Sequence, residues 1–68
     1  MKLIHEKIKV LRIQYNYSQQ FVADYLKIDR SNYSKYELGK LQLNLDMLKQ
    51  LCLLYNVSAD YLLGLKEV

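Results

Sequence analysis

Residues 18–39 read SQQFVADYLKIDRSNYSKYELG, and this stretch decides the fold. Ser18 favours the start of a helix, because its hydroxyl can accept a hydrogen bond from a free backbone N–H, and apolar residues then recur at helical spacing to Leu26. Asp29 can start a second helix, and Gly39 stands where a helix commonly ends in the left-handed conformation. Two short helices joined across a tight corner form a helix-turn-helix, so the sequence predicts this motif over about residues 18–39.

The second helix of the motif, from Asp29 to Leu38, has two chemically different faces. At about 100° per residue, Tyr33 and Tyr36 share one side, with Glu37 at its margin. The other side and its flanks are cationic and rich in hydrogen-bond donors, and they carry Arg30, Ser31, Asn32, Ser34 and Lys35. Such a face suits the DNA major groove, where base edges offer donors and acceptors between lines of phosphates. An ordinary solvated helix face is the alternative interpretation.

The same stretch, extended to Lys40, resembles the helix-turn-helix of the XRE or Cro/C1-type family of bacterial and phage transcription regulators. The resemblance rests on a Gln after the cap, an Ala in the first helix, an aliphatic turn residue and an aromatic-Glu-x-Gly ending. These residues are Gln19, Ala23, Ile28 and Tyr36-Glu37-Leu38-Gly39. The similarity extends from about residue 4 to residue 64. It implies an all-α, five-helix, lambda-repressor-like DNA-binding domain.

The sequence departs from the family pattern at the corner and after the motif. Lys27 stands where the family usually has Gly, and Leu41 and Leu43 stand where it usually has polar residues or Pro. A non-Gly residue at positive φ is strained, so we expect the corner to carry a conformational cost at Lys27.

The resemblance also implies roles for individual side chains in DNA binding. Arg30, Ser31 and Lys35 are the candidates for base contacts, and long cationic side chains favour guanine, whose O6 and N7 both accept hydrogen bonds. Gln19 is the family's usual phosphate-contacting Gln and a candidate to brace the first base-contacting residue. The remaining candidates would flank the DNA backbone, and they are Asn32, Ser34 and Lys40.

A structural ion pair is implied as well. In the family, an Arg near the end of the first helix pairs with the Glu that ends the recognition helix, here Arg12 and Glu37. Such a pair would fix the first helix against the third. The alternative is two independent surface charges, since exposed ion pairs are usually weak.

Three further helices complete the predicted domain. The first runs from Leu3 to about Tyr15 and is closed by Asn16, with Ile4, Ile8 and Leu11 on its core face and Lys7, Lys9 and Arg12 elsewhere. The fourth is capped by Asn44, and its predicted core wall is Leu45, Leu48, Leu51, Cys52 and Tyr55. The fifth is short, from a cap at Ser58 to an end at Gly64.

The length, charge and composition of the chain limit the number of domains and the kinds of partner that it can have. Its 68 residues suffice for one domain, residues 1–68, and a chain this short gains from forming a homodimer. The net charge of +3 is mild evidence for a polyanionic partner such as double-stranded DNA. The chain has a single cysteine, Cys52, which excludes an internal disulfide, and its place among leucines indicates a small core residue.

Several functional classes find no support in the sequence. His5 has no nucleophile partner at a suitable spacing, the carboxylates are dispersed, and no nucleotide-binding or protease motif occurs. We therefore expect no catalytic residues, no metal site and no cofactor. No apolar run approaches the roughly 18 residues of a membrane span, and charges interrupt any signal-peptide core. We expect a cytoplasmic protein.

Several apolar residues lie outside the predicted core, and they could contact either a second copy of the chain or another protein. A two-fold dimer is what recognition of two half-sites requires, and the candidates for its contact are Leu53, Tyr61, Leu63 and Leu65. The main prediction is a homodimeric regulator, most readily a repressor, that binds an inverted repeat through the third helix. The alternative is a protein-interaction module, such as an antitoxin or an antagonist of another regulator, that uses the surplus leucines.

Overall fold

The computed structural model describes residues 3–64, and within that range the chain is all-α. Its elements are α1 (Ile4–Gln14), α2 (Gln19–Leu26), α3 (Arg30–Glu37), α4 (Leu45–Tyr55) and α5 (Ala59–Leu63). The all-α, five-helix prediction is confirmed, and α2 and α3 form the predicted helix-turn-helix.

Side-chain caps fix where three of the helices begin. The hydroxyl of Ser18 accepts a hydrogen bond from the backbone N–H of Phe21 at 2.9 Å, and Ser58 caps α5 in the same way. The side-chain oxygen of Asn44 accepts from the N–H of Met47 at 2.8 Å. Each bond satisfies a backbone donor that the first helical turn leaves free. Asp29 occupies the predicted position before α3 in an extended conformation but makes no side-chain cap bond.

A left-handed residue follows every helix of the described chain. These residues are Asn16, Lys27, Gly39, Asn56 and Gly64, with φ between 54° and 80°. After the first four helices the N–H of the next residue bonds to the carbonyl five positions earlier, as when Ile28 donates to the carbonyl of Ala23 at 3.0 Å. This arrangement is a Schellman motif, which satisfies carbonyls that the last turn leaves free.

One continuous apolar core lies between the helices. Its buried members are Ile8, Leu11, Val22, Ala23, Leu26, Tyr33, Met47, Leu48, Leu51, Tyr55 and Leu62. Every helix contributes to this list, so the position of α3 is set by apolar packing against the rest of the domain. Cys52 is half-buried at the edge of the core and is a free thiol.

The prediction that Leu45 lines the core was wrong, because its side chain is 81% exposed. The buried stripe of α4 instead includes Met47 with Leu48, Leu51 and Tyr55. At about 100° per residue, Leu45 lies roughly 100° from the centre of that stripe. Helical spacing alone therefore began the buried stripe at Leu45, whereas in the structure it begins at Met47.

Lys7 was predicted to lie away from the core, and this was also wrong, since only 7% of the residue is exposed. Its Nζ donates a hydrogen bond to the carbonyl of Tyr61 at 2.8 Å and lies 4.9 Å from the centre of the Tyr61 ring. The aliphatic stem covers apolar surface while the ammonium group neutralises the C-terminal end of α5. Lys7 thus ties α1 to α5.

Candidate nucleic-acid interface

The corner between α2 and α3 holds the two helices in a fixed relation. Lys27 adopts φ 61° and ψ 43°, so a lysine occupies the left-handed position at which the family usually has Gly. Ile28 then packs against the core, and Asp29 returns to an extended conformation before α3 begins. A shallow polar depression at this corner is lined by Asp24, Lys27, Ile28, Asp29 and Asn32.

The inward face of α3 is buried more deeply than the sequence indicated. Tyr33 has no exposed surface, and the Glu37 side chain, predicted at the margin of this face, is only 2% exposed. Tyr36 is half-buried and packs against the core. The inward face therefore places a carboxylate inside the protein, where it needs compensating donors.

Four donors from three side chains converge on that carboxylate. Arg12 donates through Nε to Oε2 of Glu37 at 2.7 Å and through Nη2 to Oε1 at 3.3 Å. The hydroxyl of Tyr33 donates to Oε2 at 2.6 Å, and Nε2 of Gln19 donates to Oε1 at 3.1 Å. Arg12 also donates through Nη1 to the carbonyl of Tyr17 at 2.9 Å. We call Arg12, Gln19, Tyr33 and Glu37 the carboxylate hub.

The electrostatics of the hub follow from these bonds. Burial on its own would raise the pKa of the Glu37 carboxyl, but hydrogen bonds from Arg12, Tyr33 and Gln19 outweigh it and hold the pKa below its ordinary value. The hydrogen bond to Glu37 raises the pKa of Arg12. Burial, and then the bond to Glu37, raise the pKa of Tyr33. At neutral pH the hub therefore contains a carboxylate, a guanidinium and a neutral phenol.

One contact of the carboxylate hub was predicted from the sequence, and two were not. The Arg12 and Glu37 pair came from the family resemblance. The Tyr33 and Glu37 bond was not predicted, although their spacing of four residues on one helix is a signal that such a contact is possible. The Gln19 bond has no signal in the sequence, because it joins the start of α2 to the end of α3.

The outward face of α3 contrasts with this hub. Arg30, Ser31 and Lys35 are exposed, and within residues 3–64 none of their side chains makes a hydrogen bond or ion pair. Asn32 is exposed beside the corner, and Ser34 is half-buried. The predicted base-contacting residues thus share one free, cationic surface.

Lys40 occupies an unusual position after α3. Its backbone N–H donates to the carbonyl of Lys35 at 2.9 Å, which closes the Schellman motif. In the other three such motifs the equivalent residue is apolar and packs on the core: Tyr17, Ile28 and Val57. After α3 it is instead an exposed lysine beside the end of the helix, so a cation is held there by the backbone.

His5 lies against the residue that ends α3. A Cβ atom built on Gly39 would meet three atoms of the imidazole ring at 3.1 Å, so the ring lies directly over the Gly39 backbone. Gly39 also has φ 78°, which disfavours any side chain. The half-buried His5 therefore helps to position the turn that carries Lys40.

The dimer candidates differ in exposure. Leu53 on α4 and Leu63 on α5 are 69% and 52% exposed. Tyr61 is half-buried and engaged by Lys7, and Leu65 lies outside the described residues. Across residues 3–64 no helix is both long and apolar enough to span a membrane.

The sequence matches a known protein family and several named relatives. The sequence profile of the family described as "Helix-turn-helix domain" matches residues 5–68. The chain is 45% identical over 58 residues to the SPbeta prophage-derived uncharacterized HTH-type transcriptional regulator YonR of Bacillus subtilis, covering 85% of this chain and 54% of that protein. It is 41% identical over 63 residues to the HTH-type transcriptional regulator ImmR of the same organism, covering 93% and 50%. The chain thus spans about half the length of these relatives.

Proposed function

The chain belongs to the XRE-type helix-turn-helix family, and from this premise we propose that it is a transcription regulator that binds double-stranded DNA with α3 in the major groove. Its relatives carry the name transcriptional regulator, and the family is one of regulators rather than enzymes. We propose further that it acts as a repressor on an inverted-repeat operator.

The observation that carries the proposal is the division of α3 into a fixed face and a free face. Tyr33 and Glu37 are buried and anchor the helix. Arg30 and Lys35 are exposed and unpaired within the described residues, so their donors are available to guanine O6 and N7. A rigid helix with a free cationic face is what direct contact with base edges requires.

Other side chains extend the proposed contact along the duplex. Ser31 joins Arg30 and Lys35 as a base-contacting residue. Asn32, Ser34 and Lys40 flank the phosphates, and Lys40 is supported in this role by its exposed position beside the end of α3. Gln19, at the first position of α2, lies where the helix N-terminus favours an anion.

We propose a homodimer because one recognition helix contacts too few base pairs to specify an operator. Two copies of α3 spaced about 34 Å apart would occupy successive major grooves on one face of the duplex. The exposed Leu53 and Leu63 support a contact through α4 and α5, together with Tyr61 and Leu65.

Selection of bound duplexes from a random pool, followed by a salt titration, tests the proposal. We expect specific binding whose log K falls against log salt by about 0.9 for each phosphate neutralised. The selected sequences should contain an inverted repeat with guanine in each half-site. Failure to select any duplex at low salt would contradict the DNA-binding proposal.

A protein-interaction module is the second candidate function, and the exposed leucines favour it. Leu45 and Leu53 lie on the outward side of α4, eight residues apart, and both are largely exposed. Such a stripe suits an apolar contact with a partner helix. Replacing Leu45 and Leu53 by Ser separates the two functions: retained duplex affinity with loss of a protein partner would assign the leucines to that partner.

A further inference from the structure

One of the left-handed residues that end the helices of the described chain differs in chemistry from the others. Asn16, Gly39, Asn56 and Gly64 are asparagine or glycine, the residue types that adopt positive φ most readily. The exception is Lys27, at φ 61°. In this conformation its Cβ atom crowds the backbone, so the corner between α2 and α3 carries a strain that glycine would not carry.

No side-chain contact within residues 3–64 offsets this strain. The Lys27 side chain is exposed and makes no hydrogen bond or ion pair with any described residue. Two carboxylates, those of Asp24 and Asp29, line the same shallow depression, but neither pairs with the ammonium group. Asp24 instead accepts from the amide of Gln20 at 2.8 Å. A strained residue whose side chain has no internal partner points to a contact outside the protein.

The location of Lys27 indicates the kind of contact. Asn32, which lines the same depression, lies on the exposed flank of α3 that is proposed to meet the DNA backbone. A second exception among the helix ends is Lys40, an exposed lysine at a position that is apolar in the other three Schellman motifs of the described chain. Both exceptions are lysines, and they lie on opposite sides of α3 in the sequence. The backbone therefore fixes a cation at each end of the proposed recognition helix.

We propose that Lys27 contacts a DNA phosphate, and that together with Lys40 it fixes α3 in the major groove from both ends. The inference rests on the DNA-binding function proposed above and adds a residue to it. An ammonium group binds a phosphate as a point charge and does not distinguish the neighbouring base. Because α3 has eight residues and is about 12 Å long, the two lysines are set to contact different phosphates.

The charges around the corner favour a cation at this position. Asp24 and Asp29 place two negative charges in the depression, whereas Arg30 supplies one positive charge at the start of α3. Without Lys27, this end of the helix would present a net negative charge to the phosphates, which would repel the duplex. Lys27 balances these charges and supplies an ammonium group that is free to meet a phosphate.

Lys27→Gln tests the contact, because it removes the charge and keeps a non-glycine side chain in the left-handed position. The slope of log K against log salt should fall in magnitude by about 0.9 for each subunit bound, which corresponds to about a fivefold loss of affinity at about 0.15 M salt. The loss should be the same on the selected duplex and on its single-base variants, because phosphates carry no sequence information. An unchanged salt slope would overturn the inference.

Two further substitutions at the same position separate charge from strain. Lys27→Arg keeps the charge, so its affinity should stay within about twofold of wild type. Lys27→Gly removes both the charge and the strain, and it should lose as much affinity as Lys27→Gln although its corner is relaxed. An affinity for Lys27→Gly equal to or above that of the wild type would contradict the phosphate contact.

Lys49→Gln is the matched control for net charge. Lys49 is exposed on α4, outside the proposed DNA contact, and its replacement changes the charge of the protein by the same amount. Its affinity should stay within about twofold of wild type, because salt screens charges that are far from the duplex. An equal loss in Lys49→Gln would show that Lys27 acts only through the overall charge, and the inference would fail.

Duplexes with one uncharged phosphate locate the contact. A methylphosphonate replaces a single phosphate of each half-site, at successive positions along both strands. At one position Lys27→Gln should cause no further loss of affinity, because the charge that Lys27 meets is already absent. The full loss should persist at the other positions. Persistence of the full loss at every position would rule out a direct contact.

The double variant Lys27→Gln with Lys40→Gln tests whether α3 is fixed from both ends. The two losses of affinity should multiply and the two reductions in salt slope should add, since distant independent contacts contribute additively in free energy. A double variant that binds as well as either single variant would contradict two separate phosphates. If the wild type binds no duplex, the function proposed above and this inference both fail. Specific binding that Lys27→Gln leaves unchanged overturns the inference alone.

Discussion

The two faces of α3 are built from the same eight residues and behave in opposite ways. The inward face buries Tyr33 and Glu37, and every polar atom of the Glu37 carboxylate is bonded. The outward face exposes Arg30 and Lys35, whose donors are unused within the described residues. The first face is specified by contacts inside the protein, and the second is left for contacts outside it.

This difference separates stability from recognition within one helix. Changes to the inward face should alter the free energy of unfolding, because they leave buried polar groups unpaired. Changes to the outward face should leave stability almost unchanged and alter DNA binding, because those side chains contribute little to the folded state. The expectations below test this division in order of decreasing size.

The largest effect is expected at the hub. Glu37→Ala and Arg12→Ala each leave a buried charge without its partner, so each should lower the free energy of unfolding by about 3–5 kcal/mol. Denaturant unfolding of both variants and the double variant measures this. The double variant should lose less than the sum, whereas small additive losses of under about 1 kcal/mol would reduce the pair to a surface interaction. Asp24→Ala, at an exposed carboxylate, is the matched control.

Acid should remove the stabilisation that comes from the same carboxylate. The folded-state pKa of Glu37 lies below its ordinary value of 4.5, so its contribution is fully present above pH 4.5 and is lost as the pH falls through the lower, folded pKa. Free energies of unfolding measured from pH 7 into the acid range should decline for the wild type. The decline should be shallower for Glu37→Gln, and equal pH dependence in both would contradict this assignment.

A smaller effect, confined to DNA binding, is expected on the outward face. Lys35→Ala should relax the preference at one or two base pairs at a cost of about 1–3 kcal/mol, with stability within about 0.5 kcal/mol of wild type. Lys40→Ala should weaken all sequences alike and reduce the salt slope by about 1. Affinity measured on the selected duplex and its single-base variants decides this. Unchanged base preferences in Lys35→Ala would remove Lys35 from the base-contacting residues.

The smallest effect is expected at the corner that joins the two helices. Lys27→Gly should raise the free energy of unfolding by up to about 1 kcal/mol, because a left-handed lysine is strained and glycine is not. Asn16→Gly is the control, since asparagine already tolerates this conformation and should gain less. Thermal unfolding of the two variants compares them. A destabilised Lys27→Gly would show that the lysine side chain makes a compensating contribution.

Local signals predicted the boundaries of the helices with good accuracy. Ser18, Asn44 and Ser58 cap helices as expected, and Asn16, Gly39 and Gly64 adopt the left-handed conformation at helix ends. These predictions succeed because a cap depends on the chemistry of one side chain and on backbone groups a few residues away. The motif and the cationic face of α3 followed from local signals, whereas the family followed from a resemblance to known regulators.

Predictions of burial were weaker where the partner lies on another helix. Leu45 satisfied helical spacing but falls outside the buried stripe of α4, and Lys7 lies beside the stripe of α1 where α5 covers it. Periodicity gives the angle between side chains on one helix, but it does not say how wide the covered sector is or which neighbour covers it.

The sequence by itself determined the five helices, their caps and ends, and the cationic face of α3, because each depends on residues close together in the chain. Only the tertiary structure decided that Glu37 is buried, that Lys7 bonds to Tyr61, and that Gln19 faces Glu37. These contacts join residues 18 to 54 positions apart. Their geometry depends on how the helices pack together, and no pattern within a single helix contains that information.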